Sequence, residues 1–312
     1  MLSPFYRRDV INITDFSRSD IEYLFQLADR IIENPQMYHG RLVGRILGYA
    51  FFEPSTRTRL SFEAAMKRLG GHSIGFAEPS GTSIEKGESL KDTLKMLDAY
   101  SDVIVVRHPA DGTAKYAAKI CENPVINGGD GKFQHPTQTF IDLYTIYKEF
   151  GKIDDLTIGV LGDLKYARTT NSFLMGLTNF KPRKLYLISP ELLRPREFIL
   201  DYLSNFKIKF ELIDNLSEVI PELDVLYVVR IQKERFPDVS EYNKVKGAYQ
   251  INPKVLSEAK ESLKILHPLP KLDEVSPEVD NTKYALYYRQ AQYGVFVRMA
   301  LLLSILLEDA PL

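Results

Sequence analysis

Val103-Ile104-Val105-Val106 and Val225-Leu226-Tyr227-Val228-Val229 are uninterrupted apolar runs of strand length. A strand that is apolar at every position must be covered on both faces, as happens when a parallel sheet lies between helices. Helix-period stretches separate such runs along the chain, so the pattern predicts an α/β fold with doubly wound parallel sheets. The 312 residues exceed one ordinary domain of roughly 150, and two such domains are expected.

Ser19 with Glu22 fits a capping box, and Ile21, Leu24, Leu27, Ala28 and Ile31 follow at helical spacing. A strand is expected at 45–52, then a helix at 56–69 whose Phe62, Ala65, Met66 and Leu69 share one face before Gly70 and Gly71 end it. Further strands are expected near 72–77, 102–107 and 124–127, with helices near 89–100 and 112–121. The alternation resumes with strands near 156–162, 184–189, 207–212, 225–230 and 263–267. The expected organisation is a first domain at 1–135, a connecting helix at 136–150 and a second domain at 151–288, with a C-terminal helix at 289–312 packing back on the first domain.

Forty Lys and Arg against 41 Asp and Glu leave a net charge of −1, so no global field recruits nucleic acid or an anionic membrane. Any anion site must be local. Cys121 is the only cysteine, which excludes an internal disulfide and a cysteine-based zinc site and fits a reducing compartment. The first twenty residues lack an apolar core of signal-peptide length, and the apolar run near Met299 to Leu307 is too short to span a bilayer. A cytoplasmic protein is expected.

Phe51-Phe52-Glu53-Pro54-Ser55-Thr56-Arg57-Thr58-Arg59 places two arginines and three hydroxyls where a buried strand turns into a helix. Unpaired N–H groups and the helix dipole favour an anion there, and guanidinium groups add charge-assisted hydrogen bonds to phosphate oxygens. An ordinary serine cap flanked by surface arginines fits the same pattern.

Three of the five histidines precede proline: His108-Pro109, His135-Pro136 and His267-Pro268. A residue before proline is biased to extended or turn backbone, and the carboxyl ends of parallel strands are where ligands bind. Singly, each His-Pro is more simply a structural turn; the set of three points to strand ends that hold a ligand. Arg107 and His108 end one predicted strand, and His135, Thr137 and Gln138 open the connecting helix with Pro136 in its first turn. A neutral histidine there can donate to a carbonyl oxygen as negative charge develops, a contribution of ~3 kcal/mol, although a capping arrangement fits equally.

Gly159 to Arg168 lacks the G-x-G-x-x-G spacing of a dinucleotide site, and Gly128-Gly129-Asp130-Gly131-Lys132 is not a Walker A loop. Arg168 and Arg230 follow buried strands, with Gln232 and Arg235 close behind; they either face a ligand or form surface ion pairs.

Together, Ser55-Thr56-Arg57-Thr58-Arg59, His135-Pro136-Thr137-Gln138, Gly162-Asp163-Leu164-Lys165-Tyr166 and His267-Pro268-Leu269-Pro270 resemble the catalytic chains of the aspartate carbamoyltransferases, within the aspartate/ornithine carbamoyltransferase superfamily. Ornithine enzymes usually carry cysteine where this chain has Pro268. The resemblance implies two parallel-sheet domains joined by helices, 1–135 binding carbamoyl phosphate and 151–288 binding aspartate, with the active site in the interdomain cleft and at a subunit interface. It implies that Ser55, Thr56, Arg57 and Thr58 hold the phosphate and that Thr58, Arg107 and His135 address the carbamoyl oxygen. Gln138, Leu269 and Pro270 complete the carbamoyl phosphate set, and Arg168, Arg230 and Gln232 bind L-aspartate.

Ser83 and Lys86 are implied to reach a neighbouring subunit's site in a homotrimer, Lys86 also meeting aspartate, although the loop is one residue shorter before Lys86 than in many relatives. Glu53, Arg168 and Arg235 resemble a charge network that favours domain closure. The implied reaction is attack of the aspartate amine on the carbamoyl carbon, giving N-carbamoyl-L-aspartate and phosphate, an early step of de novo pyrimidine biosynthesis. No metal, cofactor or covalent enzyme intermediate is implied, and a separate regulatory chain is left open. The rival readings are an ornithine-type carbamoyltransferase, a non-enzymatic two-domain binding protein, and a nicotinamide dehydrogenase disfavoured by the broken glycine fingerprint.

Overall fold

The computed structural model describes residues 2–309 except 234, 235 and 237. The chain divides into two compact units, Met1–Ile141 with Gln292–Leu312, and Asp142–Ala291. The first contains α1 (Arg18–Glu33), β1 (Ile46–Phe51), α2 (Thr56–Arg68), β2 (His72–Phe76), α3 (Leu90–Tyr100), β3 (Val103–His108), α4 (Thr113–Ile120) and β4 (Val125–Asp130). Its four strands are parallel in the order β2-β1-β3-β4. The chain therefore winds outward from β1 to β2 and then returns to the other side of β1 to lay down β3. The apolar run of β3 is fully buried, with Ile104 and Val106 packed among Ala50, Leu94, Leu97, Ala114 and Val125.

The unit boundary falls inside α5 (Pro136–Phe150), and the return falls inside α10 (Tyr287–Leu306). Between them lie β5 (Thr157–Gly162), α6 (Arg168–Leu177), β6 (Lys184–Ile188), α7 (Glu197–Asn205), β7 (Phe210–Ile213), β8 (Val225–Val229), α8 (Val239–Val245), α9 (Pro253–Leu256) and β9 (Lys264–Leu266). These five strands are also parallel, in the order β7-β6-β5-β8-β9. Leu226 and Val228 of β8 pack with Leu161, Ile188, Leu223 and Ile265 in one core cluster. Among the described residues, no helix is long and apolar enough to cross a membrane.

Two local expectations shift. The first helix is capped by Ser17 with Asp20, two positions before the expected Ser19 and Glu22. Ser17-Arg18-Ser19-Asp20 satisfies the same capping-box rule, the Ser17 hydroxyl accepting from the Asp20 N–H at 3.3 Å and the Asp20 carboxylate from the Ser17 N–H at 3.0 Å. The strand expected from 207 begins at Phe210, because Lys207 adopts φ +58° at the end of the preceding helix and turns the chain first.

Candidate active site

In each sheet, the pair of adjacent strands whose connections run to opposite sides marks the place where a doubly wound fold opens a crevice at its carboxyl ends. In the first unit that pair is β1 and β3. Phe51 stands in register with Arg107, and the Phe52 N–H donates to the Arg107 carbonyl at 2.8 Å, so the two strand ends stay together as the chain enters the turn at Pro54. Ser55 then occupies the N-cap of α2 in extended conformation, with no hydrogen bond from its side chain to the helix. The ordinary-cap alternative therefore fails. The Ser55 hydroxyl is not spent on the helix, and the first-turn amides of α2 carry the partial positive charge of a helix start.

Around this turn the functional candidates converge. Thr58 is buried, its Oγ1 3.5 Å from His135 Nε2, while Thr137 Oγ1 lies 3.4 Å from His135 Nδ1. Hydroxyls donate or accept, so both ring nitrogens have a compatible neighbour in either neutral tautomer. Arg107 is fixed from two sides: Nη1 donates to the Gly128 carbonyl at 3.0 Å and Nη2 meets Glu53 Oε1 at 2.7 Å. Gln138 is half-buried one turn into α5, its N–H donating to the His135 carbonyl at 3.0 Å. Thr56 and Arg57 are exposed at the start of α2. Arg59 points elsewhere, its Nη1 paired with Glu63 one turn on at 2.7 Å, so the cradle has one arginine from this segment rather than two.

His108 does not join the cradle. Its Nδ1 accepts from the Ala110 N–H at 2.9 Å and its ring lies 4.9 Å from that of Phe52, so it builds the turn after β3. Burial lowers its pKa in spite of Glu53 and Asp130 nearby, which keeps the imidazole neutral. Ser83 and Lys86 open and close a short 3-10 turn, Ser83–Lys86, capped by Thr82 and ended by Gly87 at φ +92°. Both side chains are exposed.

The corresponding crevice of the second unit lies between β5 and β8. Gly162 is in register with Val229 and has φ +118°; a Cβ there would stand 1.9 Å from the Val229 carbonyl oxygen. Only glycine permits that approach. Asp163 follows and folds the next turn, its Oδ1 accepting from the Tyr166 N–H at 2.8 Å, which delivers Arg168 as the buried first residue of α6. Arg230 leaves the end of β8 half-buried, with Gln232 two residues on, also half-buried. Arg230 lines a cavity of about 60 Å³ with Gly162, Tyr249, Leu272 and Glu274.

One wall of that cavity is the segment after β9. His267 is buried; its Nδ1 accepts from the Leu269 N–H at 2.8 Å, so Nε2 carries the proton and donates to Glu274 Oε1 at 2.9 Å. Burial pushes the Glu274 carboxyl up, but hydrogen bonds from His267 and from the Leu272 amide outweigh it and hold the pKa below its ordinary value. Leu269, with φ +58°, precedes Pro270 in this loop. A leucine in left-handed backbone persists only where its surroundings fix it, and such residues cluster at functional sites.

Residues 8–148 match the model of the aspartate/ornithine carbamoyltransferase carbamoyl-P binding domain, and residues 154–305 match that of the Asp/Orn binding domain of the same enzymes. The chain belongs to the aspartate/ornithine carbamoyltransferase family. It is 57% identical over 304 residues to an aspartate carbamoyltransferase catalytic subunit from Thermofilum pendens, covering 97% of this chain and 96% of that one. It is 59% identical over 297 residues to the catalytic subunit from Thermococcus kodakarensis, covering 95% and 96%. A crystal structure of aspartate transcarbamoylase from Trypanosoma cruzi in complex with carbamoyl phosphate and aspartate superposes with a TM-score of 0.94 at 37% identity, covering 98% of this chain and 99% of that one. The catalytic subunit of M. jannaschii aspartate transcarbamoylase gives 0.87 at 44% identity, covering 95% and 96%.

As a carbamoyltransferase-family chain, the molecule also carries site features that residue patterns alone did not single out. Glu53 pairs with Arg107; of the expected network of Glu53, Arg168 and Arg235, Arg235 lies outside the described residues. Glu274 staples the loop after His267, and Gly162, which opens the Gly162-Asp163-Leu164-Lys165-Tyr166 motif, permits the close approach of β5 to β8. A strand-end glycine followed by an aspartate turn was the available signal for the last of these.

Proposed function

We propose that the chain transfers the carbamoyl group of carbamoyl phosphate to the amino group of L-aspartate, releasing N-carbamoyl-L-aspartate and phosphate. The observation that carries this reading is the uncapped Ser55 at the start of α2, grouped with buried Thr58, His135 and the doubly held Arg107. This is an anion cradle with hydrogen-bond donors beside it. Ser55, Thr56, Arg57 and Thr58 hold the phosphate, and Thr58, Arg107 and His135 donate to the carbamoyl oxygen, where negative charge grows as the amine attacks. Gln138, Leu269 and Pro270 hold the carbamoyl amino end.

Aspartate is a dicarboxylate, and Arg168 and Arg230 offer the planar bidentate cations that carboxylates match best, with Gln232 adding a neutral donor. The phosphate and carbamoyl oxygen of carbamoyl phosphate are thus served by residues at 1–135, and the aspartate carboxylates chiefly by residues at 151–288. The amine attacks the carbamoyl carbon, a tetrahedral intermediate forms, and the carbon–oxygen bond to phosphate breaks; the proton lost by the amine leaves with phosphate or solvent. Orientation and preorganised charge supply the acceleration, with no group of the chain becoming covalently attached.

Exposed Ser83 and Lys86 act in a neighbouring subunit's site, so the working form is a homotrimer in the cytoplasm. Glu53, Arg168 and Arg235 favour closure when both substrates are present. The test is phosphate release from carbamoyl phosphate with L-aspartate or L-ornithine as acceptor. Release that depends on L-aspartate is expected; release with L-ornithine alone contradicts the assignment.

A further inference from the structure

Four buried polar residues of the second unit form one chain of hydrogen bonds. The Tyr227 hydroxyl on β8 donates to Asp142 Oδ2 on α5 at 2.9 Å, and Asp142 Oδ1 accepts from Gln290 Nε2 on α10 at 2.6 Å. Gln290 Oε1 in turn accepts from the backbone N–H of His267 at 2.9 Å. Relative exposures are 0% for Tyr227 and Asp142, 1% for Gln290 and 2% for His267. The directions follow from chemistry. A carboxylate only accepts, so Asp142 draws the amide nitrogen of Gln290 to itself and leaves the amide oxygen for His267.

Beyond His267 the chain of contacts reaches the cavity wall. His267 Nδ1 takes the Leu269 N–H, and Glu274 Oε1 takes both His267 Nε2–H and, at 3.0 Å, the Leu272 N–H. Leu272 and Glu274 line the cavity with Arg230. Filling the core alone does not require this relay, since apolar side chains of similar volume do that without desolvating a carboxylate. We propose that Asp142 and Gln290 are positioning residues for the substrate cavity, fixing the backbone at His267 and thereby the segment after it, whose Leu272, Asp273 and Glu274 wall the cavity beside Arg230. The inference rests on the reading of this cavity as the aspartate site.

Asp142→Asn removes the charge and can hold both neighbours only by donating its amide N–H to the Tyr227 oxygen, which leaves the buried Tyr227 hydroxyl hydrogen without its acceptor, and Gln290→Glu sets two carboxylates against each other. In the double variant the roles exchange. The new carboxylate accepts from His267 N–H and from the new amide, whose oxygen accepts from Tyr227, and every hydrogen bond is restored. The folded Gln290→Glu variant should raise the KM for aspartate about 10-fold or more, as small misplacements at a site do, and Asp142→Asn should raise it less, with the double variant recovering most of the loss. Calorimetry with inorganic phosphate should show unchanged affinity, because the phosphate cradle belongs to the other unit. An unchanged aspartate KM, or equal losses of phosphate affinity and aspartate saturation, overturns the inference.

Should the single variants not fold, Tyr227→Phe tests the same chain of bonds. Its ring keeps the stack on Phe173 at 4.3 Å while one hydroxyl is lost. About a 3-fold rise in aspartate KM is expected, the size of one hydrogen bond, and no rise overturns the relay. A wild-type chain without aspartate-dependent phosphate release removes the functional reading together with the inference; an active wild type with unaffected variants removes the inference alone.

Discussion

Arg57 and Arg59 sit two positions apart at the start of α2, yet their surroundings give them different work. Arg59 is tied to Glu63, whereas Arg57 is exposed beside the uncapped Ser55. Arg57→Ala should therefore weaken carbamoyl phosphate binding by about 2–3 kcal/mol, roughly 100-fold, while Arg230→Ala leaves it intact and raises the KM for aspartate. Calorimetry with carbamoyl phosphate on both variants reads the difference; a folded Arg57→Ala protein with wild-type affinity contradicts the cradle. Glu274 gives a pH prediction. Its folded-state pKa is depressed, so its stabilisation is complete above the ordinary glutamate pKa and disappears as the pH falls through the lower folded value. Melting points followed between about pH 3 and 6 should fall more gently with acid in Glu274→Gln than in the wild type; parallel curves contradict the staple. The residue types of the site were legible in the sequence because they cluster in short motifs. Their partners were not: Glu53 meets Arg107 only because β1 and β3 are neighbours, and no local spacing encodes strand order.

Strands buried throughout, such as β8, or along their apolar run, such as Val103–Val106 of β3, announced themselves as continuous apolar stretches. The edge strand β2 is largely exposed, and its position was read instead from the glycines that stop α2 before it. Helix starts were less legible where two capping boxes overlap, as with Ser17 and Ser19, because both satisfy the same local spacing. Gly162 shows what a strand end demands. Gly162→Ala would force a Cβ against the Val229 carbonyl at φ +118°, parting β5 from β8 where Arg230 emerges. A loss of at least ~2 kcal/mol in urea unfolding is expected, together with weaker aspartate saturation and unchanged phosphate binding. A variant as stable as the wild type with normal aspartate KM contradicts the role given to this glycine.

At the scale of the whole molecule, the proposed function assigns the two substrates chiefly to different units and Lys86 to a neighbouring subunit's site. The turn Ser83–Lys86 is exposed and capped by Thr82, and its proposed role is to present the Lys86 ammonium to a neighbouring subunit's site. Lys86→Ala and His135→Ala should each inactivate a trimer, yet mixing the two after dissociation should create hybrids in which one site has neither defect. Activity should return in the mixture and not in either protein treated alone; inactive hybrids, once shown to have formed, contradict the shared site. The central claim concerns the fate of the carbamoyl group itself. Carbamoyl phosphate labelled at its carbon, incubated with the protein and L-aspartate, should place the label in N-carbamoyl-L-aspartate in step with phosphate release, and should not do so when L-ornithine replaces L-aspartate. Label recovered in carbamoylated ornithine, or only in hydrolysis products while phosphate is released, would contradict it.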